Sequence, residues 1–148
     1  MSTEVIGGTG RDNDGADLWF RWKRVFESVR SGITGEVTAA AGLAESDLSV
    51  LVQLYRADGV LRQNALAAAL GWDRTRLSHL VTRMQARGLV ERRPSGSGVD
   101  VVMTEGGRST LDAAQQPLRA AVDHHFAGRL SSEDRRHLAR ILTALDTD

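Results

Sequence analysis

The sequence predicts a mostly helical α+β fold, and three observations carry that prediction. Two short helical segments follow one another: Leu66-Ala67-Ala68-Ala69-Leu70 stops at Gly71, and a second helix opens at Asp73 and closes at Gly88. Residues 89–93 and 99–103 then alternate apolar and polar side chains around Pro94-Ser95-Gly96-Ser97-Gly98, the pattern of two strands joined by a turn. Longer amphipathic segments flank this unit on both sides.

The elements follow in order. Residues 1–16 are rich in Gly, Asp and Thr and are expected to form a disordered tail. A long helix is expected over 17–41, because Leu18, Trp22, Val25, Val29 and Ile33 recur at steps of three and four; Trp19 and Phe26 widen that stripe. Gly32 and Gly35 weaken its second half. Ser46 or Asp47 can cap a helix bearing Leu48, Leu51, Val52 and Tyr55, which stops at Asp58-Gly59. After the hairpin, Thr104 can cap a helix with Leu111, Leu118, Val122 and Phe126. Pro117 predicts a kink in it, and Gly128 its end. Ser131-Ser132-Glu133-Asp134 reads as a capping box opening a last helix, with Leu138, Ile141, Leu142 and Leu145 on one face. Helix, turn, helix and hairpin is the plan of a winged helix-turn-helix, whose second helix enters the DNA major groove. The expected organisation is a winged unit over 46–104 framed by helical regions over 17–45 and 105–148. The outer helices carry more apolar surface than the winged unit can cover, which predicts dimerisation through them.

The 148 residues contain no cysteine, which excludes disulfides and thiolate metal sites. No apolar run approaches the ~20 residues of a bilayer span, and no secretory signal opens the chain. A cytoplasmic protein without a membrane partner is expected. Net charge is zero, but its distribution is uneven. Between Arg62 and Thr104 seven arginines face only Asp73, Glu91 and Asp100, a local balance of +4 inside a frame of −4. That segregation suits local phosphate binding. Eighteen of the nineteen cations are arginine, which favours bidentate recognition, although GC-rich codon usage produces the same excess.

On a helical wheel of 100° per residue, Leu77, Leu80, Val81 and Met84 cluster on the core side. Thr75, His79, Thr82 and Ala86 point the opposite way, with Arg76 and Arg83 on one flank and Ser78 on the other. Arg74 lies in the first turn. This face lacks glutamate, and its side chains can bond base edges or phosphates. Double-stranded DNA is therefore the expected partner of Arg74, Thr75, Arg76, Ser78, His79, Thr82 and Arg83, with Arg92 and Arg93 gripping phosphate from the base of the hairpin.

The segment resembles the MarR family of dimeric winged-helix regulators. The resemblance rests on Leu61-Arg62-Gln63-Asn64 leading to Leu66-Ala67 and Leu70-Gly71, on Trp72-Asp73-Arg74-Thr75-Arg76-Leu77-Ser78-His79, and on the run from Val81 to Arg92. Met103-Thr104-Glu105-Gly106-Gly107, Val122-Asp123-His124-His125-Phe126 and Leu130-Ser131-Ser132-Glu133-Asp134 extend it over nearly everything after Asp17. It implies a homodimer that reads a pseudo-palindromic operator and represses transcription until a small molecule loosens it. It also implies an arginine at the wing tip, and residues 94–98 contain none.

An effector pocket for an aromatic small molecule is expected where the outer helices meet the winged unit, with Trp19, Trp22, Phe26, Tyr55 and His125 as candidate walls. No cofactor is expected. No metal site is expected either: His124 and His125 are neighbours on a helix, 100° apart, and no cysteine supports them. No phosphate loop, catalytic triad or close carboxylate pair is present, so nothing supports an enzyme. Two functions stay open: a ligand-responsive DNA-binding repressor, or a winged-helix protein-interaction module that has lost specific DNA binding.

Overall fold

A computed structural model describes residues 14–146. Six α-helices and three strands follow in the order α1 (Gly15–Ala41), α2 (Glu45–Arg56), β1 (Val60–Arg62), α3 (Gln63–Leu70), α4 (Arg74–Ala86), β2 (Val90–Ser95), β3 (Gly98–Met103), α5 (Glu105–His125) and α6 (Ser132–Leu145). The first thirteen residues of the expected tail lie outside the described residues, and α1 already includes Gly15 and Ala16.

The core gathers under the winged unit. Leu51 and Leu54 of α2, Leu66 of α3, Leu77, Val81 and Met84 of α4, and Val101 of β3 are fully buried against one another. The four α4 residues expected to face inward are all buried. Tyr55 departs from the expected α2 stripe: it is 47% exposed, with Arg108 stacked on its ring.

Several boundaries differ from the sequence reading, each for a local reason. Ala44 rather than Ser46 or Asp47 precedes α2. Asp47 sits three residues in and reaches back to accept the Ala44 amide at 3.2 Å. The sheet has three strands in the order β1-β3-β2, not two. A three-residue strand is too short to show alternation in a sequence. It forms because Asp58 and Gly59 both take positive φ, turning the chain so that the Gly59 carbonyl accepts the Met103 amide at 2.8 Å. That contact registers Arg62 opposite Asp100. The hairpin also extends further than expected. Ser95 pairs with Gly98, so Pro94 and Ser95 belong to the strand, and only Gly96 and Ser97 make the turn.

Thr104 caps α5 as expected, its hydroxyl accepting the Gly107 amide at 3.0 Å. The helix passes through Pro117 and ends at His125, after which residues 127–129 form a single 3-10 turn; Gly128 lies in that turn rather than ending the helix. The capping box of α6 is present, with Ser131 and Asp134 bonding each other's backbone amides. Among the described residues no single helix is long and apolar enough to cross a membrane.

Candidate nucleic-acid interface and effector cavity

α4 owes its position to both its ends and one flank. Asp73 accepts the Arg76 amide at 2.7 Å, closing the first turn. Gly71 at φ +65° turns the chain out of α3 in a conformation that Cβ-bearing residues resist. Trp72, between them, lies under the Arg76 guanidinium at 4.2 Å, so the arginine is laid along the start of the helix. Arg74, Thr75, Arg76, His79 and Arg83 are exposed. Among the described residues, no hydrogen bond or ion pair engages the side chains of Arg74, Thr75, His79 or Arg83. These groups are free to meet an external ligand.

The other expected contact residues are engaged within the fold. Arg92 donates from Nε to Gln63 Oε1 at 3.0 Å, from Nη1 to Thr82 Oγ1 at 2.8 Å, and from Nη2 to the Ser78 carbonyl at 2.7 Å and its Oγ at 3.2 Å. Its own amide donates to Gln85 Oε1 at 3.0 Å. Its guanidinium therefore ties the hairpin to α3 and α4. Arg92, Ser78 and Thr82, all expected to contact DNA, thus also bond one another within the fold, with Thr82 exposed and Ser78 and Arg92 half-buried. A wheel shows angular position only, and this brace depends on a strand seven to fourteen residues away. Arg93 remains exposed at the hairpin, 3.2 Å from Glu91.

Sequence reasoning missed Arg62. Because β1 joins the sheet, its guanidinium lies along the hairpin tip, donating to the Ser95 carbonyl at 2.5 Å and facing Asp100 at 3.5 Å. A Cβ on Gly98 would fall 2.3 Å from Arg62 Nη1, so the bare glycine makes the approach possible. The hairpin that lacks an arginine in its own turn thus receives one from 33 residues upstream. The signal was Arg62 at the end of Val60-Leu61-Arg62, legible only once that segment is recognised as a strand.

Between α1, α2 and α5 lies an apolar cavity of 720 Å³. Trp22 and Phe26 of α1, stacked at 5.9 Å, form one wall with Val29 and Ile33; Leu118, Val122 and Phe126 form another. Its polar fringe includes Arg30, which bridges Glu27 and Glu45. Of the expected walls, Trp22 and Phe26 line it, while Trp19, Tyr55 and His125 do not. Trp19 is 57% exposed beneath Lys23. Tyr55 faces Arg108. His125 turns toward α1, its Nε2 at 2.6 Å from Glu36 Oε1, beside His124 Nδ1 at 2.7 Å from the same oxygen.

Comparison with known proteins agrees with this geometry. The MarR family model matches residues 41–98, from the end of α1 to the start of β3. No curated relative matches by sequence. Among solved structures, AbsC of Streptomyces coelicolor, a MarR family transcriptional regulator, is 28% identical and superposes with a TM-score of 0.80 over 95% of both chains. CouR of Rhodococcus jostii RHA1, solved with p-coumaroyl-CoA bound, is 26% identical, with a TM-score of 0.72 over 87% of this chain and 91% of its own. Sco3205 of Streptomyces coelicolor, solved in complex with DNA, shares the fold at 23% identity and a TM-score of 0.79, covering 97% and 91% of the two chains. The family model spans the helix-turn-helix and the first strand of the hairpin, and the superposition on AbsC runs over nearly the whole length, so the chain carries a helix-turn-helix similar to that of the MarR family within the winged-helix fold of a MarR family transcriptional regulator.

Proposed function

We propose that this regulator is a cytoplasmic, ligand-responsive repressor that binds a pseudo-palindromic operator as a homodimer. The observation that carries the reading is the face of α4 with Arg74, Thr75, His79 and Arg83 exposed and uncommitted, held rigid by the Asp73 cap and the Arg92 brace. Rigid presentation of such side chains suits base-edge contacts in a major groove. Arg76 joins them in the first turn. Arg93 and Arg62 bring positive charge to the hairpin, where phosphates or the minor groove would lie. Residues 46–104 act as the DNA-binding unit, and the helical regions 17–45 and 105–148 as the dimerisation region.

Dimerisation is supported by apolar surface that this chain leaves open. Phe20 is 66% and Leu145 70% exposed, with Trp19, Phe26, Ile141 and Leu142 also uncovered on α1 and α6. The cavity supports a small effector with an aromatic or other apolar body; its volume falls in the range of drug-sized ligand sites. CouR, with p-coumaroyl-CoA bound, offers a related precedent.

The test is fluorescence anisotropy with the intergenic DNA beside the gene against random duplex of equal length. The repressor reading expects a clear preference for the intergenic DNA, abolished when Arg74, Thr75, Arg76 and His79 are replaced together by Ala in a chain that still folds. Equal affinity for both duplexes favours the interaction-module reading. Arg62 removes one argument for that alternative, since the wing is not without an arginine.

A further inference from the structure

We propose that Glu36, His124 and His125 form a binding site for a divalent first-row transition ion, bridging α1 to the end of α5. The donors come from two helices and converge on one point. Glu36 Oε1 lies 2.7 Å from His124 Nδ1 and 2.6 Å from His125 Nε2, and the three ligand atoms all fall within 4.8 Å of one another. Adjacent helical residues diverge by 100°, the reason no site is expected from the sequence. The structure overcomes that divergence because the two rings present different nitrogens. His124 offers Nδ1, close to its own backbone, while His125 offers Nε2 at the far end of its ring.

The approach is built into α1. Gly32 and Glu36 are four residues apart and share a face of the helix. A Cβ at Gly32 would lie 2.4 Å from His125 Nδ1, so the ring packs directly on that glycine while its other nitrogen reaches Glu36. The His125 side chain is 21% exposed and held in place; those of Glu36 and His124, at 41% and 66%, have room to adjust. Tetrahedral zinc with bonds of about 2.0–2.1 Å sets its ligand atoms about 3.3 Å apart. Opening the two hydrogen bonds from 2.7 and 2.6 Å to that spacing needs small side-chain rotations, and ligation requires the neutral tautomers that carry the proton on the other nitrogen, Nε2 of His124 and Nδ1 of His125, any further proton being released to solvent. A water would complete the fourth position.

Donor chemistry selects the class of ion. Two imidazoles and one carboxylate suit Zn²⁺, Ni²⁺ or Cu²⁺, whereas Ca²⁺ and Mg²⁺ prefer shells of oxygen. The site lies outside the apolar cavity and off the α4 face, so the inference does not depend on the proposed DNA or effector binding.

The experiment is calorimetric titration of the metal-free full chain with ZnCl2, paired with Co²⁺ absorption as a report of coordination. One Zn²⁺ per chain with micromolar affinity, and visible bands of tetrahedral Co²⁺, are expected. His124→Ala and Glu36→Gln should each weaken Zn²⁺ binding at least tenfold (thermal melts confirming that each variant folds). His137→Ala supplies the control: His137 meets Glu133 only at 3.9 Å on exposed α6, and its loss should leave the titration unchanged. Absence of saturable binding overturns the proposal. So does binding that survives both Glu36→Gln and His124→Ala, or that disappears with His137.

Discussion

Arg62 and Arg92 are two arginines of the same sheet with opposite expected roles. Arg92 is held by Gln63, Ser78 and Thr82, so Arg92→Ala leaves a gap between the hairpin and α4. Loss of several partly buried hydrogen bonds should cost about 1–3 kcal/mol of stability, with little change in the salt dependence of DNA binding. Arg62 lies on the outer side of the hairpin with nearly half its side chain exposed. Arg62→Ala should melt close to the parent but lower affinity for specific and random DNA alike. The slope of log K against log salt should fall by about 0.9 for one lost phosphate contact. Melts beside anisotropy titrations at several salt concentrations separate the two; an unchanged slope in Arg62→Ala places Arg62 outside the interface.

Helix ends carry the next level of the design. α5 begins directly over the start of the hairpin, and a Cβ at Gly107 would lie 2.0 Å from the Leu89 carbonyl oxygen. That neighbour is backbone and cannot swing away. Gly107→Ala should therefore destabilise the chain by roughly 1–3 kcal/mol through overpacking, against the usual gain from Ala in a helix, and chemical denaturation will show it. α6 depends instead on charge. The Ser131 hydroxyl, and then the Ser131 amide, donate to Asp134 and hold its carboxyl below the ordinary 3.8. A carboxylate whose folded value is depressed contributes stability fully above its unfolded value and loses it as pH falls through the lowered one. Protection of the Asp134 amide relative to intrinsic exchange should hold above pH 3.8 and fall at more acid pH. In Asp134→Asn that carboxylate-dependent acid transition should be absent.

Across the molecule as a whole, burial is concentrated at the winged unit and thins toward α1 and α6. The buried core lies among α2, α3, α4, the sheet and, through Leu111 and Ala114, α5, while α6 contributes no buried residue and α1 only Val37. Covering the exposed Trp19, Phe20 and Leu145 in a second copy accounts for that imbalance. Light scattering at micromolar concentration should report about 32 kDa, twice the 16.1 kDa chain. Leu145→Arg together with Phe20→Arg should shift it toward monomer without unfolding the winged unit. A stable monomer in the parent chain removes the basis for two-fold operator recognition.

Residues close together in the chain were enough to give the helical periods, the opening of α4 at Asp73, the caps at Thr104 and Ser131, the buried side of α4 and the helix ends at Gly71 and Gly88, because each is set within a turn or two. The sequence by itself also located the family resemblance, since that rests on local runs in a set order. Tertiary structure alone decided what distant segments do to one another. Residues 60–62 became a strand only through pairing with β3, and with that Arg62 reached the hairpin. Arg92, placed correctly at the hairpin, turned inward because Gln63, Ser78 and Thr82 offered it acceptors. Trp22 and Phe26 were set on the cavity while Tyr55 met Arg108, and two adjacent histidines closed on one carboxylate of α1. Periodicity reports which way a side chain leaves its own helix. Which partner it meets depends on how that helix is packed, and those contacts lie many residues apart in the chain.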